Sequence, residues 1–204
     1  MKQSILKENK NYTFADYFDL SYSTKEIIAE LGYQFRLEKL ELPLATIIDN
    51  DKIIQLKENL YKKLPHISLN SEMAKREFLI SPLLFLLLDY VEFDINVEYT
   101  VNINDKLKGN IDYLLSSTHN FIVVEAKNAD LEKGFTQLAA ELIAFSQYAE
   151  NDKEYLYGAI TVGNIWQFGL LDTQNKILHK DIDAFLVPAD LEKLFAVLLG
   201  ILKA

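Results

Sequence analysis

The sequence predicts an α/β fold: a mixed β-sheet flanked by helices on both faces. Three observations carry that prediction. Strand-like and helix-like segments alternate along the whole chain, which is the pattern of sheet-and-helix layers. Three strand segments follow one another between residues 95 and 126 with only short polar turns between them, as in an antiparallel meander. And half of the 204 residues are hydrophobic while a quarter are charged, which is enough apolar material for a real core.

Taken in order, residues 12–31 open with irregularly spaced aromatic residues and then give a short helix. Thr24 is placed to cap it and Gly32 to end it. Tyr33, Phe35 and Leu37 alternate along a strand that Pro43 closes. Residues 45–64 read as a helix with Ile47, Ile48, Ile54, Leu56, Leu60 and Leu64 inward, stopped by Pro65. Residues 70–90 carry the strongest helical signal. Asn70 or Ser71 caps this helix, Glu72 and Glu77 lie in its first turns, and Pro82 is expected to kink or divide it.

Residues 95–103 alternate as a strand. The turn NDKLKG leads into a strand holding Asp112, and STHN leads into FIVVEAK, which ends in Glu125 and Lys127. Residues 130–150 then form a helix with Leu131, Phe135, Leu138, Leu142, Phe145 and Tyr148 on the buried side. Two strands joined at Gly163-Asn164 and a last helix from Asp190 to Leu202 complete the pattern. No repeat or long linker divides the chain. The expected organisation is an extension, residues 1–69, packed on a core of residues 70–204.

Composition narrows the chemistry. The formal net charge of −9 argues against a protein that coats nucleic acid, which needs Lys and Arg to neutralise phosphates. It leaves room for clustered carboxylates that hold a divalent metal. The absence of cysteine excludes thiolate sites and disulfides. The N-terminus reads as no signal peptide, and the apolar run PLLFLLLDYV is too short to span a bilayer, so a cytoplasmic protein without a membrane partner is expected. His66, His119 and His179 have no metal-binding spacing, and no P-loop, GxGxxG or GxSxG motif occurs.

The chemistry gathers between Gly109 and Gln137. Glu125 and Lys127 are two residues apart on a strand and therefore share a face. Asp112 on the preceding strand can meet them. Paired carboxylates with a lysine suit phosphodiester hydrolysis, in which a metal polarises the phosphate, a water is activated and developing charge is neutralised. The backbone carbonyl of Ala126 offers one more ligand. A plain structural reading stays open for each residue. Glu125 and Lys127 can be a solvated pair at a strand end, Asp112 a turn residue behind Gly109-Asn110, and Glu72 an acid favoured by a helix N-terminus.

The ordered set of Asp112, then Glu125-Ala126-Lys127, then a helix with Gln137 resembles the PD-(D/E)XK nuclease superfamily. The stretch NSEMAKREFLISPLL is similar to the first core helix of its restriction-endonuclease-like branch, which includes the nuclease module of type I restriction motor subunits. AITVGNIWQFGLL is similar to the strand pair after the site helix. The resemblance covers residues 70 to 172 and departs from the motif at Ile111, which stands where the proline that names it would be.

It implies Asp112 and Glu125 as metal ligands, Lys127 as the catalytic lysine and Glu72 as a helix carboxylate that approaches the metal through water. Gln137 would be a supporting residue, with Glu77 a competitor for the role of Glu72. The cofactor implied is Mg2+, with Mn2+ as a substitute, and the substrate DNA. A homodimer or a separate DNA-binding partner is expected to help so acidic a protein reach it. The competing expectation is a catalytically silent module of the same fold that binds nucleic acid or another protein.

Overall fold

The computed structural model describes residues 4–7, 9–118, 120–127, 129–148 and 153–204, with the backbone alone at Tyr148. Its centre is a mixed sheet in the order β1-β7-β6-β5-β4-β3-β2, with a short β8 added beside β6. The strands are β1 (Gln34–Glu38), β2 (Asp94–Asn102), β3 (Lys108–Ser116), β4 (Phe121–Ala126), β5 (Tyr155–Thr161), β6 (Ile165–Asp172), β7 (Ile177–Asp181) and β8 (Phe185–Leu186). β2, β3 and β4 form the expected antiparallel meander. β4 and β5 run parallel, as do β1 and β7, and the other pairs are antiparallel.

A parallel neighbour for β4 demands a crossover, and the helix α6 (Leu131–Tyr148) provides it. With α1 (Phe14–Asp19) and α2 (Thr24–Glu30), α6 covers one face of the sheet. The opposite face carries α3 (Asp51–Lys63), a helix running from Glu72 to Leu87, and α7 (Leu191–Lys203). Two apolar clusters result. One joins Leu83, Leu87, Trp166, Phe168 and the inner side of α7; the other joins Phe14, Tyr17, Ile27, Phe135 and Leu138.

Local signals explain the element ends. Ser23 caps α2 and exchanges hydrogen bonds with Glu26 as a capping box, one residue ahead of the expected Thr24. Gly32 follows α2 with φ at 84°, a left-handed conformation that favours glycine. Ser71 accepts the amide of Ala74 and starts the Glu72–Leu87 helix. That helix is interrupted, though not where expected. Its irregular part is a π-helical turn at Arg76–Ile80, between α4 (Glu72–Lys75) and α5 (Ser81–Leu87); Pro82 merely sits in the first turn of α5, where its missing N–H costs little.

Other expectations are corrected. The helix read over residues 45–64 begins at Asp51, and its buried residues are Ile53 and Leu60; Ile48 is 99% exposed in the preceding strap and Ile54 also faces outward. Leu37 is exposed on β1, an edge strand. The alternation of β2 breaks at Glu98, whose φ is 53°. His179, expected in a surface loop, lies in β7 and pairs with Glu38; His66 is exposed, while His119 falls outside the described residues. β7 and β8 are strands the sequence pattern does not announce. Residues 1–69 add β1 to the same sheet and place α1 and α2 against α6. Among the described residues no helix is long and apolar enough to cross a membrane.

Candidate functional site

The site forms where β3 and β4 part. Their ladder ends at Tyr113 and Val124, and the next residues on the two strands are Asp112 and Glu125. Asp112 reaches across the gap: its Oδ2 accepts the backbone N–H of Ala126 at 2.8 Å. Arg76, from the π-helical turn, approaches the other oxygen at 3.4 Å, while its main partner is Glu98 of β2 at 2.7 Å. Arg76 Nε also donates to the Tyr113 hydroxyl at 3.2 Å. Burial pushes the Asp112 carboxyl up, and the Ala126 amide, Arg76 and Lys127 offset only part of that.

Glu125 is 1% exposed, at the end of an otherwise apolar strand. Its Oε1 takes the Lys127 ammonium at 2.5 Å and the Gln137 side-chain amide at 2.7 Å. Its Oε2 is buried and receives no amide, hydroxyl or cation donor, and the carboxyl hydrogen-bonds that of Glu141. Burial, then the nearby carboxylates of Glu141 and Asp112, raise the Glu125 carboxyl well above its ordinary value. Lys127 shows the reverse balance. Burial works against its charge, but Glu125, Asp112 and Glu72 outweigh it and leave the ammonium harder to deprotonate than usual. The isolated surface-pair reading of Glu125 and Lys127 therefore does not describe this geometry.

The structure also places the remaining sequence candidates. Glu72 is half-buried at the start of α4, and its charge bears on both Asp112 and Lys127. Gln137 is buried in α6, bonded to Glu125. Ala126 is buried at the end of β4, opposite Thr161 of β5, and its N–H rather than its carbonyl is what engages Asp112. Glu77 stands apart from this group. It is exposed, in an outer pocket of about 400 Å3 that it lines with Glu72, Arg76, Ser81, Glu98 and Tyr113.

Two participants, Glu141 and Phe18, escape sequence reasoning. Glu141 lies fully buried one turn beyond Gln137, whose amide donates to it at 2.9 Å. Arg76 belongs, one turn after Glu72, to the helix that carries the resemblance, whereas its partner Glu98 on β2 has no sequence signal. Phe18 of α1 presents its ring 5.5 Å from the Lys127 ammonium and 5.8 Å from that of Lys133.

The donors available to a metal are carboxylate oxygens. The Glu125 carboxyl, close enough to Asp112 to feel its charge, suits a hard cation such as Mg2+, which binds through one or two carboxylates and retains water. Among the described residues no three Asp, Glu, His or Cys side chains are gathered into a cage for an ion. A scan against protein-family models finds no match for this chain, and a search of curated proteins finds no relative.

Proposed function

We propose that this protein is a metal-dependent nuclease that hydrolyses phosphodiester bonds in DNA, with a site of the PD-(D/E)XK kind. The observation that carries this reading is the cluster at the parting of β3 and β4. A buried carboxyl, Glu125, a half-buried one, Asp112, and a lysine converge there, and Glu125 Oε2 receives no amide, hydroxyl or cation donor. Burying charge is costly, and a cluster kept for packing alone has no reason to hold it. Asp112 and Glu125 would hold Mg2+ or Mn2+, with the Ala126 carbonyl as a further candidate. Such an ion supplies polarisation of the phosphate and a more acidic water. Lys127 would orient the attacking water and neutralise charge on the phosphate as the bond to the leaving oxygen breaks. Glu72 would support the site from its helix.

One observation favours the silent-module reading. Both oxygens of Asp112 already have protein partners, the Ala126 N–H and Arg76, so the carboxylate is satisfied as it stands. The acidic balance of the chain favours a partner that delivers DNA, or a second copy of the chain, in either case.

Thermal unfolding of the wild type and Asp112→Asn, each with and without Mg2+ or Mn2+, separates the readings. An ion that binds only the folded state at a hundred times its Kd adds about 2.7 kcal/mol of stability. The nuclease reading expects a metal-dependent rise in melting temperature in the wild type that the variant loses, together with metal-dependent cleavage of plasmid or linear DNA. No rise in either protein would sink it in favour of the silent module.

A further inference from the structure

Glu141 is fully buried, and its surroundings make that costly. Its neighbours along α6, from Leu138 to Ala140 and from Leu142 to Ala144, are all buried and all apolar. A leucine at this position would complete the packing without taking a charge out of water. Instead the carboxylate is held by Gln137 Nε2 at 2.9 Å, while the same nitrogen donates to Glu125 Oε1 at 2.7 Å. One amide group thus spans two carboxylates, one hydrogen for each. The Glu125 and Glu141 carboxyls also hydrogen-bond each other directly, which requires a proton on one of them, while Gln137 Oε1 is buried without a partner.

We propose that Glu141 is a positioning residue for the metal-holding carboxylate: it anchors the Gln137 amide and hydrogen-bonds the Glu125 carboxyl itself, and together these contacts fix the orientation of Glu125. The inference rests on the nuclease reading of the site. Without an acceptor at position 141, the amide is released from one of its two bonds. It can then turn its oxygen toward Glu125, where oxygen meets oxygen and the orientation of Glu125 is lost. Glu141 touches neither ion nor substrate in this scheme and acts through Gln137 and through its own contact with Glu125. Partners of this indirect kind change metal affinity by about 10- to 100-fold when removed.

The test uses the full chain as wild type, Glu141→Leu and Glu141→Gln, with melting temperatures measured without metal and Mn2+ affinity measured by calorimetry. Glu141→Leu is expected to fold with a melting temperature at or above that of the wild type and to bind Mn2+ about tenfold or more weakly. Glu141→Gln retains an oxygen that accepts from Gln137 and is expected to recover part of that affinity. A Glu141→Leu protein that binds Mn2+ like the wild type overturns the assignment, and so does an equal loss in both variants, which would make charge the operative property.

Should Glu141→Leu fail to fold, the comparison moves to Gln137→Leu. In that background Glu141→Gln is expected to cause no further loss, and an additive loss overturns the assignment. A wild type that binds no Mn2+ at all defeats the nuclease reading and this role with it. A wild type that binds, beside a Glu141→Leu that binds equally, defeats the positioning role alone.

Discussion

The Phe18 ring, on the first helix of the chain, stands 5.5 Å from the Lys127 ammonium at the end of β4. This contact makes the N-terminal segment part of the site rather than a distant scaffold. An aromatic face near a cation contributes about 0.5–1 kcal/mol at a partly exposed position. Phe18→Leu keeps apolar bulk and removes the π face, so a loss of about two- to fivefold in metal-dependent cleavage is expected, with Phe18→Tyr near wild type. Lys127→Met should abolish cleavage while the protein still folds, because Glu125 can take a proton in place of its lost partner. Cleavage rates and circular dichroism of the four proteins check both statements, and retained cleavage in Lys127→Met would remove Lys127 from the mechanism.

Much of this site could be read in the sequence because strand periodicity is rigid. Residues two apart must share a face, so Glu125 and Lys127 were bound to be neighbours, and the meander brought Asp112 beside them. Helix α6 was less transparent. Its inward positions Phe135, Leu138, Leu142 and Phe145 are buried as expected, but so is every residue from Phe135 to Phe145, because α1 and α2 cover the side away from the sheet. In a helix enclosed all round, periodicity no longer separates inside from outside, and nothing in the sequence marks Glu141 as buried. β7 was hidden for a related reason. Its sequence, ILHKD, reads as polar, yet Lys180 and Asp181 are buried, Lys180 against Glu132 and Asp181 accepting the backbone amides of Leu40 and Asp183.

The buried carboxyls predict an unusual pH profile for the metal-free protein. Burial raises Glu141 from an ordinary 4.5 to about 7, and burial with the neighbouring Glu141 and Asp112 charges raises Glu125 well above 4.5. In the unfolded chain both groups lose their protons near 4.5. Between about 4.5 and 7 the folded state therefore holds protons that the unfolded state has released, and stability falls as pH rises through that window. Holding one such proton costs the folded state about 1.4 kcal/mol for every pH unit across the window, so the fall amounts to a few kcal/mol by about pH 8. Lys127, raised above its ordinary 10.5, stays charged throughout and adds no slope. Asp16, Asp172 and Glu192, held below their ordinary values, lose their contribution only at more acid pH. Melting should thus occur at a higher temperature at pH 5 than at pH 8, and Glu141→Gln should narrow the difference. A flat or rising profile between those values would contradict the burial of these carboxyls at the site.

The strap between β1 and α3 contributes no side chain to the candidate site and serves as a control for it. This strap crosses α7 closely enough for the Ala45 amide to donate to the Ala196 carbonyl at 3.0 Å. At Gly200 the approach is tighter still. A Cβ there would stand 2.3 Å from the Pro43 carbonyl oxygen and 2.8 Å from the Leu44 nitrogen. Alanine is the better helix former by about 1 kcal/mol, which on propensity alone would make Gly200→Ala stabilising. The clash is with backbone, which cannot swing aside as a side-chain tip can, and overpacking of this kind costs about 1–3 kcal/mol or more. Sterics should therefore win, and Gly200→Ala should lower the melting temperature. The metal-dependent increment in melting temperature should survive, because neither Pro43 nor Gly200 contacts Asp112, Glu125 or Lys127 through any hydrogen bond or ion pair described for the site. An unchanged or raised melting temperature would mean that the strap lies off the helix in solution, and loss of the metal increment would mean that the strap and the site are coupled through α7 and β4.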